Sequence, residues 1–171
     1  MDITINTEFI DYMETLISNE YLLLFFLSML PITELRLSIP VGIILFKLHW
    51  LLVFVICILG NAIVGAFLVY FLGILLGYFN RINIVNRFIK KAGNRAKSKY
   101  DRYDQNKRIR DGALVLFVGI PLPGTGAWTG ALLSHLIALN KEHSIKSIIY
   151  GLFLSGIIMT SISIFFSSWI H

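Results

Sequence analysis

Pro31-Ile32-Thr33-Glu34-Leu35-Arg36-Leu37-Ser38-Ile39-Pro40 is a polar, charged island inside an apolar stretch, and its reading decides the fold. The apolar run before it, Leu22 to Leu30, is too short to cross a bilayer. An α-helix rises about 1.5 Å per residue, whereas the hydrocarbon core is about 30 Å thick. A second island, Pro121-Leu122-Pro123-Gly124-Thr125-Gly126, follows another short apolar run, and the two islands hold all four prolines of the chain. A half-length apolar helix that stops at Pro or Gly predicts a re-entrant hairpin, with Pro31, Pro40, Pro121 and Pro123 as the breakers and a fully crossing, kinked span as the alternative. Broken backbone at membrane depth survives only where protein or a water-filled cavity satisfies its polar groups. Such places are where transported material binds.

Outward from the islands the composition agrees. Of 171 residues 56% are hydrophobic and 15% charged, and the mean hydropathy is +0.74, which excludes an ordinary soluble domain. The reading is a single all-α integral membrane domain over 1–171. The first twenty residues carry Asp2, Glu8, Asp11, Glu14 and Glu20 and no Lys or Arg, so no cleavable signal peptide is expected. Cys57 is the sole cysteine, read as a packing residue, so no internal disulfide and no metal-ligand spacing is present.

Residues 8–18 place Phe9, Ile10, Met13, Leu16 and Ile17 on one helical face, the pattern of an amphipathic surface helix. Residues 21–48 form the first hairpin, and Trp50 to Phe79 is an uncharged run long enough to span. Its Gly60, Ala62, Gly65, Ala66, Gly73 and Gly77 let another helix approach closely, and the face near Gly73 and Gly77 suggests a homodimer or higher homo-oligomer, since so few crossing segments enclose little volume. Eleven of the fifteen Lys and Arg lie between Arg81 and Arg110, with apolar residues at helical spacing among them. That segment is predicted to be cytoplasmic by the positive-inside rule. It should lie as an amphipathic helix on anionic lipid headgroups, with nucleic acid excluded as partner by the membrane segments on either side.

Hairpin and span then recur: a hairpin over 112–139 and a span from Ile145 to Ile170. Repeat one is about 20–79, the basic connection about 80–111 and repeat two about 112–170. Parity places both termini outside and makes the halves enter from opposite faces, an inverted repeat of re-entrant hairpin plus transmembrane helix.

Glu34 and Arg36 are the only charged residues between Tyr21 and Phe46. A charge at the bilayer centre costs about 2.5 to 3.5 kcal/mol on insertion scales, so it is a functional candidate by default. Arg36 can clamp a phosphate or carboxylate with its planar fork, and Glu34 can carry a proton, the expected coupling ion. A mutual ion pair that merely holds the tip is the bland alternative. In the second island the amides around Gly124 to Ala127 suit an anion. Thr125, Gly126, Trp128 and Thr129 complete that set of candidate substrate-binding residues, and a tight turn is the bland alternative. Asn61 either lines a path or holds the backbone, and His135 is a titratable residue on the second return arm. No nucleotide loop, metal motif, cofactor motif or catalytic triad is visible, so an enzyme is not expected.

The stretches Pro31-Ile-Thr-Glu-Leu-Arg-Leu-Ser-Ile-Pro-Val-Gly42 and Phe117-Val-Gly-Ile-Pro-Leu-Pro-Gly-Thr-Gly-Ala-Trp-Thr-Gly-Ala131, with Gly60-Asn61 between them, resemble the bacterial and archaeal small multidrug export family over nearly the whole chain. More distantly the plan is similar to the DedA superfamily, which includes flippases that recycle undecaprenyl phosphate through paired re-entrant hairpins. That similarity carries over to Glu34 and to the Pro123-Gly124 step. DedA proteins place arginines around that step, whereas here Gly119 and Gly126 stand there. The resemblance implies a multi-pass protein of a prokaryotic cytoplasmic membrane. Its leading reading is a transporter or flippase for an anionic lipid such as a polyprenyl phosphate. Export of amphiphilic cations and a non-transporting membrane scaffold are the alternatives.

Overall fold

The computed structural model describes residues 19–79, 107–137 and 139–170, with backbone alone for 73–79, 107–108 and 170. The expected amphipathic helices at 8–18 and in the basic connection lie outside the described residues, as do the side chains around Gly73 and Gly77. All regular structure among the described residues is helical.

Helix α1, Glu20–Met29, starts where Asn19 Oδ1 accepts the amides of Tyr21 at 3.0 Å and Leu22 at 3.4 Å. A side-chain acceptor there satisfies amides that have no partner inside the helix. The helix ends because Leu30 precedes Pro31. The proline ring disfavours helical backbone at the residue before it, and Leu30 is extended, with φ −75° and ψ 143°. At ten residues α1 is only about 15 Å long.

Helix α2, Glu34–Pro40, follows after a break of four residues and runs directly into a π-helical turn, Val41–Leu45. Pro40 is therefore not a breaker, contrary to the expectation from sequence. It lies inside continuous helical backbone at φ −57° and ψ −41°. What it removes is one amide donor, and beyond it the ladder widens, with the Phe46 amide bonded to Val41 O at 3.0 Å. The turn closes on Lys47, which adopts φ +52°, and the Leu48 amide reaches back to Gly42 O at 3.0 Å.

Helix α3, Trp50–Phe79, is thirty residues long, about 45 Å, which is enough to span with tilt. Leu51, Val55, Leu59, Ile63, Phe67 and Phe71 recur every fourth residue and all are exposed, whereas Val53, Cys57, Asn61, Val64 and Leu68 are buried. An exposed stripe this apolar suits lipid, not water.

The second hairpin comprises α4, Lys107–Gly119, and α5, Ala127–Leu136. Among the described residues helix α4 already covers the five before the apolar run that marks it in the sequence, with Lys107, Arg108 and Arg110 in its helical backbone. Between the helices the Leu122 amide bonds Ile120 O at 2.8 Å across Pro121, and the Thr125 amide bonds Leu122 O at 3.2 Å. Pro123 and Gly124 are the middle residues of that second turn, and Gly124 takes φ +80°. Proline followed by a residue of positive φ is the pattern of a type II turn.

Helix α6, Lys141–Ile170, is also thirty residues; beyond its charged first turns its exposed face is mainly apolar, and its buried face mixes hydroxyls with Ile148 and Leu152. Ser144, Ser147, Ser155, Thr160 and Ser163 are buried, while Tyr150, Phe153, Ile157, Phe165 and Trp169 are exposed. Helices α3 and α6 are the two candidate membrane-spanning helices among the described residues.

Packing divides the chain into two compact units. In the unit that holds residues 19–60 and 156–170, α1 packs against the return arm and the start of α3. A Cβ on Gly42 would meet Leu24 Cδ1 at 2.7 Å and Val53 Cγ1 at 2.8 Å. In the unit that holds residues 61–155, α4 packs against α5 and the start of α6, with Val118 fully buried between Gly130 and Gly151. Both units close on glycine, the means by which helices pack in lipid, where burial of apolar surface gives no drive.

Candidate functional site

The first island builds its site from the break itself. Four residues without regular backbone leave carbonyls at the end of α1 that need donors. Thr33 supplies one: its hydroxyl donates to Leu27 O, which also accepts the Leu30 amide at 3.3 Å. The Glu34 amide bonds Leu30 O at 3.0 Å, and the Ser38 hydroxyl donates to Glu34 O at 2.6 Å. Thr33, Glu34, Leu35 and Ser38 are all buried as a result.

Glu34 stands at φ +44°, in the left-handed region that L-residues with long side chains seldom adopt. The consequence is geometric. Residues two apart in a regular helix do not face each other, yet Glu34 Oε2 lies 3.5 Å from Arg36 Nη1. The left-handed backbone turns the carboxylate out of the helical direction and onto the guanidinium. Both side chains are largely removed from solvent, at 7% and 15% exposure. The sequence places these charges in one island, and the structure makes them a pair.

The second island is chemically quieter. Thr125 Oγ1 donates to Ile120 O at 2.7 Å and Leu122 O at 2.9 Å, and Thr129 Oγ1 donates to Gly126 O at 3.3 Å. Both hydroxyls, and the Thr125 amide, therefore serve the turn. Gly124 is exposed, Gly126 is buried as the residue that starts α5, and Trp128 is half-buried. His135 is exposed on α5. Asn61 is buried in α3 at 1% exposure. Glu34 and Arg36 belong to the first unit, and Asn61 with the second island to the other.

One residue was missed by sequence reasoning, namely Thr33. Its signal was available: Pro31-Ile32-Thr33 and Pro123-Gly124-Thr125 share the order Pro-X-Thr, and in each the threonine hydroxyl reaches back to a carbonyl at the end of the outgoing helix. In the second island this order starts at Pro123, not at Pro121. Pro121 is an additional proline that ends α4.

The profile of the family described as "Putative small multi-drug export protein" matches residues 34–158, more than half of the chain. The chain belongs to this family. The match of the small multidrug export family begins on Glu34, takes in Arg36, both long helices in large part and the whole second hairpin, and ends within α6. No curated protein and no solved structure matches the chain.

Proposed function

We propose that this membrane protein exports small amphiphilic compounds, cations foremost, and that Glu34 is the carboxylate that meets their charge. The observation that carries the reading is the Glu34 carboxylate, buried and held in a left-handed backbone beside Arg36. Unfavourable backbone tends to persist where it has a use, and here it aims a charge. The family description supports export of this kind. The apolar exposed faces of α3 and α6 support a membrane setting.

In this scheme Arg36 pairs with the Glu34 carboxylate when no substrate is present. A cationic substrate takes the carboxylate from Arg36, and a proton in turn displaces the substrate. Exchange of a proton for a cation at one carboxylate is a coupled antiport. The hairpins are re-entrant from opposite faces, the basic connection is cytoplasmic, both termini lie outside, and two or more copies assemble.

The test is uptake of a fluorescent lipophilic cation by proteoliposomes under an imposed pH gradient. Wild-type protein should drive accumulation, and Glu34→Gln should abolish it while remaining monodisperse in detergent. Gradient-driven uptake that is unchanged in Glu34→Gln would sink the proposal.

A second reading, translocation of an anionic lipid, is favoured by one observation: the same pair presents a guanidinium. It requires Arg36 instead. Arg36→Ala should then stop flipping of a labelled anionic lipid, and Glu34→Gln should leave it in place.

A further inference from the structure

A cleft of about 530 Å³ opens in the first unit between the start of α3 and the end of α6. Lys47, His49, Trp50, Ile164, Ser167 and Ser168 are among its walls, and none of its described lining residues carries a carboxylate. Its volume falls in the range of small-molecule sites, about 300 to 1,000 Å³. The scheme for Glu34 makes no use of it.

Three observations give the cleft a sign and a depth. Lys47 is the only Lys or Arg between Arg36 and Arg81, and none of the ion pairs among the described residues involves it. It also holds φ +52°, a conformation that glycine or asparagine would adopt more easily. A lysine in that place sets a cation on the rim against the preference of its own backbone. The rings of His49 and Trp50 stack with centroids 5.9 Å apart and planes at 23°, at the start of α3. There the Leu52 and Val53 amides already bond His49 O at 3.1 and 3.2 Å, which leaves the Trp50 and Leu51 amides ahead of the first helical bond, where an anion is favoured. Ser168 already donates to Phe165 O at 2.7 Å, which leaves Ser167 as the hydroxyl donor on the α6 wall.

The depth follows from tryptophan. Trp50 opens one candidate span and Trp169, 79% exposed, closes the other. Tryptophan concentrates at the level of lipid headgroups. A cationic, hydroxyl-bearing cleft with apolar walls at that level matches a molecule that is anionic at one end and apolar at the other.

We infer that the cleft between Lys47, His49 and Ser167 binds the phosphate of an anionic membrane lipid headgroup. Binding there would anchor the outer ends of α3 and α6 on one lipid, at the end of α3 remote from the basic connection.

The experiment is native mass spectrometry of the full chain in neutral detergent, titrated separately with phosphatidylglycerol, phosphatidylcholine and inorganic phosphate. The tightest phosphatidylglycerol site should be at least about tenfold stronger than that for phosphatidylcholine. Lys47→Asn with His49→Gln should weaken it about tenfold, because a charge-assisted bond to phosphate is lost. Asparagine tolerates the left-handed backbone, so this variant keeps the local fold. Ser167→Leu, which fills the cleft from α6, should have the same effect. Lys141→Asn, which removes a lysine outside the cleft, should leave the site intact. Retention of the tightest site in both cleft variants overturns the inference. So does equal binding of phosphatidylcholine. Inorganic phosphate as strong as the lipid would assign the cleft to a free anion and overturn the lipid assignment.

Discussion

A Cβ placed on Gly60 would lie 2.1 Å from Ser28 Oγ and 2.8 Å from the carbonyl oxygen of Phe25, so α3 meets α1 at the level of backbone. Ser28 itself bonds Phe25 O at 2.7 Å, which keeps its hydroxyl at the contact. The hairpin's outgoing arm is thus seated on the long helix where neither can give way.

Gly60→Ala should therefore destabilise the protein by about 1 to 3 kcal/mol, the usual cost of overpacking. Ser28→Ala should not rescue it, because the carbonyl of Phe25 remains in the way. Gly112 offers the contrast, with nothing within 4 Å of its Cβ position. Gly112→Ala in α4 should be neutral or more stable by up to about 1 kcal/mol, from helix propensity alone. Thermal unfolding in detergent distinguishes the two.

The Glu34–Arg36 pair should respond asymmetrically to loss of one member. Glu34→Ala leaves a guanidinium largely buried without its carboxylate, and a loss of about 3 kcal/mol or more is expected. Glu34→Gln keeps an acceptor for Arg36 and should cost less. Glu34→Gln with Arg36→Met should recover most of the stability while remaining inactive in transport. A double-mutant cycle on unfolding free energies measures the coupling.

The two threonines of the turns should behave alike. Thr33→Val and Thr125→Val each remove a hydroxyl that serves a carbonyl freed at the end of a helix. Each should cost about 1 kcal/mol, and the serine variants should be close to wild type. Thr33→Val should be the more harmful, because Thr33 is buried and Thr125 is partly exposed.

The turns also present apolar side chains outward: Ile32 is 89% exposed and Leu122 56%. If the tips dip into the bilayer, Ile32→Cys and Leu122→Cys should react slowly with a membrane-impermeant maleimide. Lys141→Cys, on the first turn of α6, should react quickly once the vesicles are made leaky to the reagent, which gives it access to both faces. The background needs only Cys57→Ser, since Cys57 is the one cysteine and is fully buried. Rapid labelling of both tips would place them in water.

Much of this plan was legible in the residues. The bounds of α3 could be read off because no charge interrupts Trp50 to Phe79, and the two breaks were marked by Pro31 and by Pro121 to Gly124. Pro40 misled, since a proline can sit in a helix if the ladder beyond it shifts, and its neighbours give no sign of that. The start of α6 lies four residues before the span read from sequence because Lys141 and Glu142 are charged. In the structure they form its first turns, with Lys146 Nζ 2.6 Å from Glu142 Oε1. The charges of the first island could be named from sequence, with an ion pair between them as one of two readings, but which reading holds could not. It depends on the sign of one dihedral angle at Glu34, which composition and spacing do not encode.

Helix α6 carries a further consequence. With five hydroxyls buried and its aromatic rings outward, its middle has no favourable arrangement in water, where the ranking of its two faces would reverse. Synthesis without lipid or surfactant should therefore yield aggregate, not a dormant monomer. Attempts to improve solubility by placing polar residues on the outer face would remove the contacts that hold the helix in its proper solvent. The space for safe engineering lies at the ends of the helix, where the hydrocarbon stops.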